Sequence, residues 1–208
     1  MLIIGLTGSI AMGKSTVAKM LEKNGIPMIS ADQIVHDLYE KEAVSLIEKA
    51  FPGTTENNQV NREKLLGLII EEEDGFRKLE KLIHPLVRQK EWEFIKENKE
   101  KGSDLVAIEI PLLFETGADE LMDAVLLASS PSEVQKQRVM ARPGMTEEKF
   151  KTLLAKQMPD AEKREKADFI VDTSCSLEET EDQLKQIIAI IKKNKSKAYD
   201  LWLNSADA

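Results

Sequence analysis

Gly8-Ser9-Ile10-Ala11-Met12-Gly13-Lys14-Ser15 fits the spacing G-x-x-x-x-G-K-[ST] and stands between a short apolar run, Leu2 to Leu6, and a segment of helical periodicity. Glycines at these positions let backbone N–H groups wrap a phosphate chain, and the start of the following helix adds a favourable partial positive charge. Lys14 would reach the β- and γ-phosphates as a mobile point charge, and the Ser15 hydroxyl would ligate Mg²⁺. The loop alone does not choose among a kinase, a nucleotide-driven switch and a mechanical ATPase, which cradle phosphates alike.

The reactive crevice of an open parallel sheet lies beyond the carboxyl ends of its strands, so acidic residues there are the next candidates. Asp32 follows the second apolar run, Ile26 to Ser30, and could accept a proton from an acceptor hydroxyl or orient Mg²⁺ through water; it could equally be a solvated helix N-cap ahead of Gln33. Glu109, in Ala107-Ile108-Glu109-Ile110-Pro111, needs a cation or hydrogen-bond donors to sit in so apolar a run. It reads either as a carboxylate facing the magnesium region or as a structural ion pair. Arg138 and Arg142, four apart ahead of Pro143-Gly144, fit a closing lid that neutralises the transferring phosphoryl group, or a salt-bridging helix face. Arg164 is a further cation of this kind. His84-Pro85, with Arg88 a turn away, reads from chemistry alone as a polar stop at a helix bend.

These residues need a scaffold. The order strand, loop, helix, strand over residues 2–30 makes a right-handed parallel unit, and strand-like runs return at Leu105 to Ile110, Ala124 to Ala128 and Phe169 to Val171, each followed by helical character. Between them, residues 33–102 read as a mostly helical insertion with a polar break from Thr54 to Asn61. The nucleotide-binding core is then 1–32 plus 103–208, with a lid over about 138–160. Ser130 with Glu133, and Ser176 with Glu179, have capping-box spacing. The helix after Ser176 is read as the last, with Leu177, Leu184, Ile187, Ile188 and Ile191 facing the core, and the chain end from Asn204 is expected to fray.

The chain has 208 residues, 42% hydrophobic and 32% charged, enough for one main core and a solvated surface. With 29 basic against 37 acidic residues it carries a net charge of −8, which argues against general attraction to nucleic acid. Its single cysteine, Cys175, excludes an intramolecular disulfide, and neither a leader nor a membrane span is evident; a cytoplasmic setting is expected.

Several motifs in order resemble the dephospho-coenzyme A kinase family of P-loop kinases over nearly the whole chain. They are Gly5-Leu6-Thr7-Gly8 with Gly13-Lys14-Ser15-Thr16, Ala31-Asp32, Leu82-Ile83-His84-Pro85-Leu86-Val87-Arg88, and Ile110-Pro111-Leu112-Leu113-Phe114-Glu115. Gln135 through Arg142-Pro143-Gly144, Gln157-Met158-Pro159 and Ala167-Asp168-Phe169-Ile170-Val171-Asp172 complete the set. The resemblance implies an α/β P-loop kinase fold: a five-stranded parallel sheet flanked by helices, a helical substrate-binding insertion and a helical lid. It implies ATP-dependent phosphorylation of the 3′-hydroxyl of dephospho-coenzyme A, with ATP and dephospho-coenzyme A as the small-molecule partners, Mg²⁺ as cofactor, and a monomer or small homo-oligomer. By the same resemblance Asp32, Lys14 and Arg138 are catalytic. Gly8, Ala11, Met12, Gly13, Lys14, Ser15, Thr16 and Arg142 hold the nucleotide, and Ser15 and Glu109 the metal. Asp32, His84, Arg88 and Leu113 line the acceptor site. The chain departs from the family at Ser9, Ala11 and Met12, where glycines or serine are usual, at Glu109, where Asp is usual, and at Leu153, where Arg is usual.

Overall fold

The computed structural model describes residues 1–206. Its contacts divide into two compact units, Met1–Met28 with Lys96–Ala208, and Ile29–Ile95.

The first unit opens on β1 (Leu2–Thr7), all six residues of which are buried, as a central parallel strand requires. Helix α1 (Lys14–Lys23) buries Val17, Ala18, Met20 and Leu21, and stops at Asn24 with Gly25 at φ 75°. Strand β2 (Met28–Ser30) begins two residues later than its apolar run suggests, although the Pro27 carbonyl already accepts the Ala107 N–H at 2.9 Å.

The second unit is built from α2 (Ala31–Glu40), α3 (Val44–Ala50), the strands β3 (Thr55–Glu56) and β4 (Gln59–Val60), α4 (Arg62–Glu71) and most of α5 (Gly75–Glu100). Its core gathers Ile34, Leu38, Ile47, Phe51, Leu65, Ile69 and Ile83. The expected polar break is a hairpin: Asn57 and Asn58 take φ 50° and 64°, the left-handed pair that a tight two-residue turn requires. Helix α5 does not stop at Pro85 but runs through it. The ring lacks an N–H for the Lys81 carbonyl, and buried Ile83, Trp92 and Ile95 on either side hold the helix together across the gap.

The chain then returns with β5 (Leu105–Glu109), a short 3₁₀ turn at Ala118–Leu121, β6 (Ala124–Ser129), α6 (Ser132–Met140), α7 (Glu147–Leu154), α8 (Asp160–Lys166), β7 (Phe169–Asp172), α9 (Leu177–Ile191) and α10 (Ala198–Ala206). The sheet has five strands in the order β2-β5-β1-β6-β7, with β1 parallel to β5 and β6, and β7 parallel to β6. The apolar faces of α1 and α9 pack on it through Val17, Leu21, Leu184, Ile188 and Ile191.

The Ser176–Glu179 capping box forms, with both reciprocal bonds made. The one expected at Ser130 does not: Pro131 takes the N-cap position of α6, and Ser130 turns its N–H and hydroxyl to the Met12 sulfur at 3.3 and 3.2 Å. Leu177 is 68% exposed and outside the core stripe. Helix α9 is not the last, since α10 docks with Trp202 buried and its indole N–H donating to the Leu121 carbonyl at 2.9 Å. Asp123 caps the start of α10 by accepting the Lys197 and Ala198 amides. The expected fraying therefore does not begin at Asn204; Asp207 and Ala208 lie outside the described residues.

Candidate active site

The loop from Gly8 to Gly13 joins β1 to α1 at the carboxyl edge of the sheet. A Cβ on Gly8 would stand 2.6 Å from the Ala128 carbonyl oxygen, and one on Gly13, at φ 85°, 2.6 Å from Thr173 Oγ1. Both glycines are thus required by close approach to neighbouring strand ends, and Gly13 by its left-handed backbone as well. Ala11 is left-handed too, at φ 60°, at a cost of about 1 kcal/mol for a residue with a Cβ.

Lys14 Nζ lies 3.3 Å from Glu109 Oε1, both side chains mostly withdrawn from water at 17% and 14% exposure. Glu109 is the last residue of β5 and pairs in register with Leu6 on β1, so adjacent strand ends place the carboxylate beside the loop lysine. The loop is held from outside as well. Gln135 Nε2 donates to the Ile10 carbonyl at 2.8 Å, the Ile10 N–H donates to Gln157 Oε1 at 3.0 Å, and Thr173 Oγ1 donates to the Met12 carbonyl at 2.8 Å. Arg138 Nη1 donates to Thr173 Oγ1 at 3.0 Å and its Nη2 to the Thr173 carbonyl, which fixes the guanidinium next to the loop. Ser15 is exposed, and Thr16 lines a surface groove of about 440 Å³ with Lys19, Met20, Lys23, Leu177 and Glu181.

Behind the loop, Lys163 is completely buried with Nζ 2.9 Å from Glu115 Oε1 and 3.3 Å from the Pro111 carbonyl. Burial pushes the Glu115 carboxyl up, but hydrogen bonds from Lys163 and the Met158 amide outweigh it and hold the group below its ordinary range. Arg164 Nη1 donates to Ser129 Oγ at 2.9 Å. Asp172 is held low first by the Ser174 hydroxyl and amide, with the charges of Arg164 and Arg138 adding to them.

Arg142 lies beyond the end of α6, after the C-cap Ala141, so it does not share a helical face with Arg138; its side chain is exposed. Leu113 is completely buried, and a Cβ on Gly5 would stand 2.4 Å from its Cδ1. That side chain offers no surface to an acceptor, which corrects the expected contact.

In the second unit Asp32 is exposed in the first turn of α2; Ser30 holds the N-cap position, so Asp32 is not the cap. His84 and Arg88 are four apart on α5, His84 exposed and Arg88 half-buried with Nη1 3.3 Å from Glu91 Oε2. Among the described residues no group of three or more His, Cys, Asp or Glu side chains could hold a metal ion, and no helix is long and apolar enough to cross a membrane.

A family model described as dephospho-CoA kinase matches residues 2–179. The chain belongs to the dephospho-CoA kinase family. A dephospho-CoA kinase of Brucella melitensis is 50% identical over 188 residues, covering 90% of this chain and 94% of that one. One of Rhizobium etli is 49% identical over 197 residues, covering 95% and 97%. A dephospho-CoA kinase structure from Campylobacter jejuni superposes with a TM-score of 0.69 at 30% identity, covering 92% of this chain and 97% of its own. A Thermus thermophilus crystal structure does so with a TM-score of 0.79 at 34% identity, covering 91% and 97%.

Within this dephospho-CoA kinase scaffold, two of the residues that grip the loop from outside, Thr173 and Ser130, are not among those the sequence chemistry points to. Both stand just past strand ends, so extending the strand-end rule from acids to all polar residues would have found them. The departure Met12 has a use, since its sulfur accepts from Ser130. The departure Leu153, on α7, is 39% exposed.

Glu91 is the buried acid of the second unit. Its side chain is 2% exposed and burial pushes its pKa from 4.5 to about 7, against the opposing pull of Arg88. Between those values the folded chain holds a proton that the unfolded chain has released, so stability falls as pH rises across the window, by about 3 kcal/mol when complete. Glu91→Gln removes that cost. Urea unfolding should show the variant more stable than the parent at pH 8 and nearly equal to it at pH 5; the same gain at both would disprove the buried-acid account.

Proposed function

We propose that this member of the dephospho-CoA kinase family transfers the γ-phosphoryl group of ATP to the ribose 3′-hydroxyl of dephospho-coenzyme A, releasing ADP and coenzyme A. The observation that carries the reading is Lys14 held by Glu109 at the mouth of a glycine-hinged loop, in a chain whose family match spans residues 2–179. The loop amides of residues 8–16 hold the β- and γ-phosphates. Lys14 leaves Glu109 for the phosphate oxygens, and Arg138 and Arg142 bring further positive charge as charge spreads over the equatorial oxygens. Asp32 accepts the proton of the attacking hydroxyl, and His84 and Arg88 of the helical unit hold the acceptor.

The residues fit a magnesium ion. The exposed Ser15 side chain and the Glu109 carboxylate would supply it with oxygen donors, the ligand type that magnesium prefers. Held by these residues, a magnesium ion would supply charge neutralisation at the phosphates.

Mass analysis of the product made from ATP and dephospho-coenzyme A tests acceptor and position together. The expected product carries one added phosphoryl group whose fragmentation assigns it to the ribose 3′-oxygen. ADP release with unmodified acceptor, or phosphate on another atom, would overturn the reading.

A further inference from the structure

We infer that Gln135 and Gln157 are positioning residues for the nucleotide, acting by locking the one strained residue of the phosphate loop. The inference rests on the reading that residues 8–16 hold the phosphates of ATP.

Ala11 adopts φ 60°, a backbone region that a side chain with a Cβ avoids, at a position whose amide must point into the loop for a phosphate. Such a conformation persists only where its surroundings over-determine it. Both neighbours of Ala11 are pinned by side chains distant in sequence. On one side, Ile10 is held at both its polar groups, its N–H to Gln157 Oε1 at 3.0 Å and its carbonyl from Gln135 Nε2 at 2.8 Å. On the other, the Met12 carbonyl accepts from Thr173 Oγ1 at 2.8 Å and its sulfur from Ser130.

The anchors are themselves fixed. Gln135 is 5% exposed on α6. Gln157 precedes Met158, whose amide donates at 2.7 Å to Glu115, the carboxylate paired with the buried Lys163. The segment between α7 and α8 therefore reaches the loop through one side chain with a rigid footing. Turning the Ile10–Ala11 peptide, the motion by which Ala11 would escape to ordinary φ, breaks the Gln135 bond, while the Gln157 bond on the preceding peptide and the Thr173 bond on the Met12 carbonyl stop the flanking backbone from turning to absorb it.

The test is a set of single and double variants. Gln157→Ala, at a partly exposed position, should raise KM for ATP about 3- to 10-fold, the fold-change set by one lost hydrogen bond, with KM for dephospho-coenzyme A within about twofold. Gln135→Ala should do the same; if its burial makes it unfold, Gln157→Ala alone still decides. In an Ala11→Gly background, where glycine accepts the left-handed conformation without strain, the effect of Gln157→Ala should shrink to about twofold or less. An unchanged KM for ATP, or a lowered unfolding midpoint with no change in KM, would overturn the positioning role. An equal effect of Gln157→Ala in the parent chain and in the Ala11→Gly background would overturn the route through strain. Lys14→Ala separates the two levels. If it leaves ATP affinity and turnover intact, the phosphate assignment itself has failed; if it impairs them while Gln157→Ala does nothing, only this inference has.

Discussion

Replacing Asp32 by Asn is expected to lower turnover about 10²- to 10⁴-fold, the usual contribution of a positioned proton acceptor, while ATP affinity stays within about threefold. Asn keeps the shape and one hydrogen-bond acceptor but cannot take the proton. The expected loss corresponds to about 3–5 kcal/mol of transition-state stabilisation. The rival contribution is structural: Asp32 stands in the first turn of α2, where a negative charge stabilises the helix by about 0.3–1 kcal/mol. The two differ enough to be told apart, because a purely helical role would shift the unfolding midpoint slightly and leave turnover near normal. Steady-state kinetics with saturating ATP, alongside thermal unfolding, make the comparison. Near-normal turnover would remove Asp32 from the reaction.

The features legible in the sequence were those encoded locally. The phosphate loop is a contiguous spacing with its own chemical logic, and the parallel strands announce themselves because buried strands are nearly all apolar, as the six residues of β1 are. What could not be read depended on distant partners. The hairpin at β3 and β4 has only two residues in each strand, and its signal is the asparagine pair at its turn. Pro85 reads as a helix end, since an interior proline costs about 3 kcal/mol. Burying Ile83, Trp92 and Ile95 contributes about 1.5–3 kcal/mol each and exceeds that cost, but only the folded chain reveals that they are buried. Likewise Gln135 and Gln157 are separated from Ile10 by 125 and 147 positions, and no local pattern joins them. Glu109 shows the limit from the other side. Its need for a cation was legible, and the partner turned out to be Lys14 of the phosphate loop.

That pair makes Lys14→Ala informative beyond the loss of a charge. Turnover should fall about 10²- to 10³-fold, as when a donor aimed at developing negative charge is deleted. The variant also leaves the Glu109 carboxylate, 14% exposed, without its cation at the place where phosphates must come. The variant should therefore also bind metal-free ATP more weakly, through repulsion from Glu109 and not only through the absence of the ammonium group. The double variant Lys14→Ala with Glu109→Gln separates the two: titrated with ATP in the absence of Mg²⁺, where Glu109 has no metal to hold, it should recover ATP affinity by about tenfold over Lys14→Ala alone, yet with Mg²⁺ present it should stay slow in turnover. Equal ATP affinity in the single and double variants would show that Glu109 does not confront the phosphates. Normal turnover in Lys14→Ala would reject the loop as the phosphate site. Titrating ATP by calorimetry and measuring phosphoryl transfer on the same preparations distinguishes these outcomes, because the ammonium acts on the transferring group whereas the stranded carboxylate acts on any bound phosphate chain.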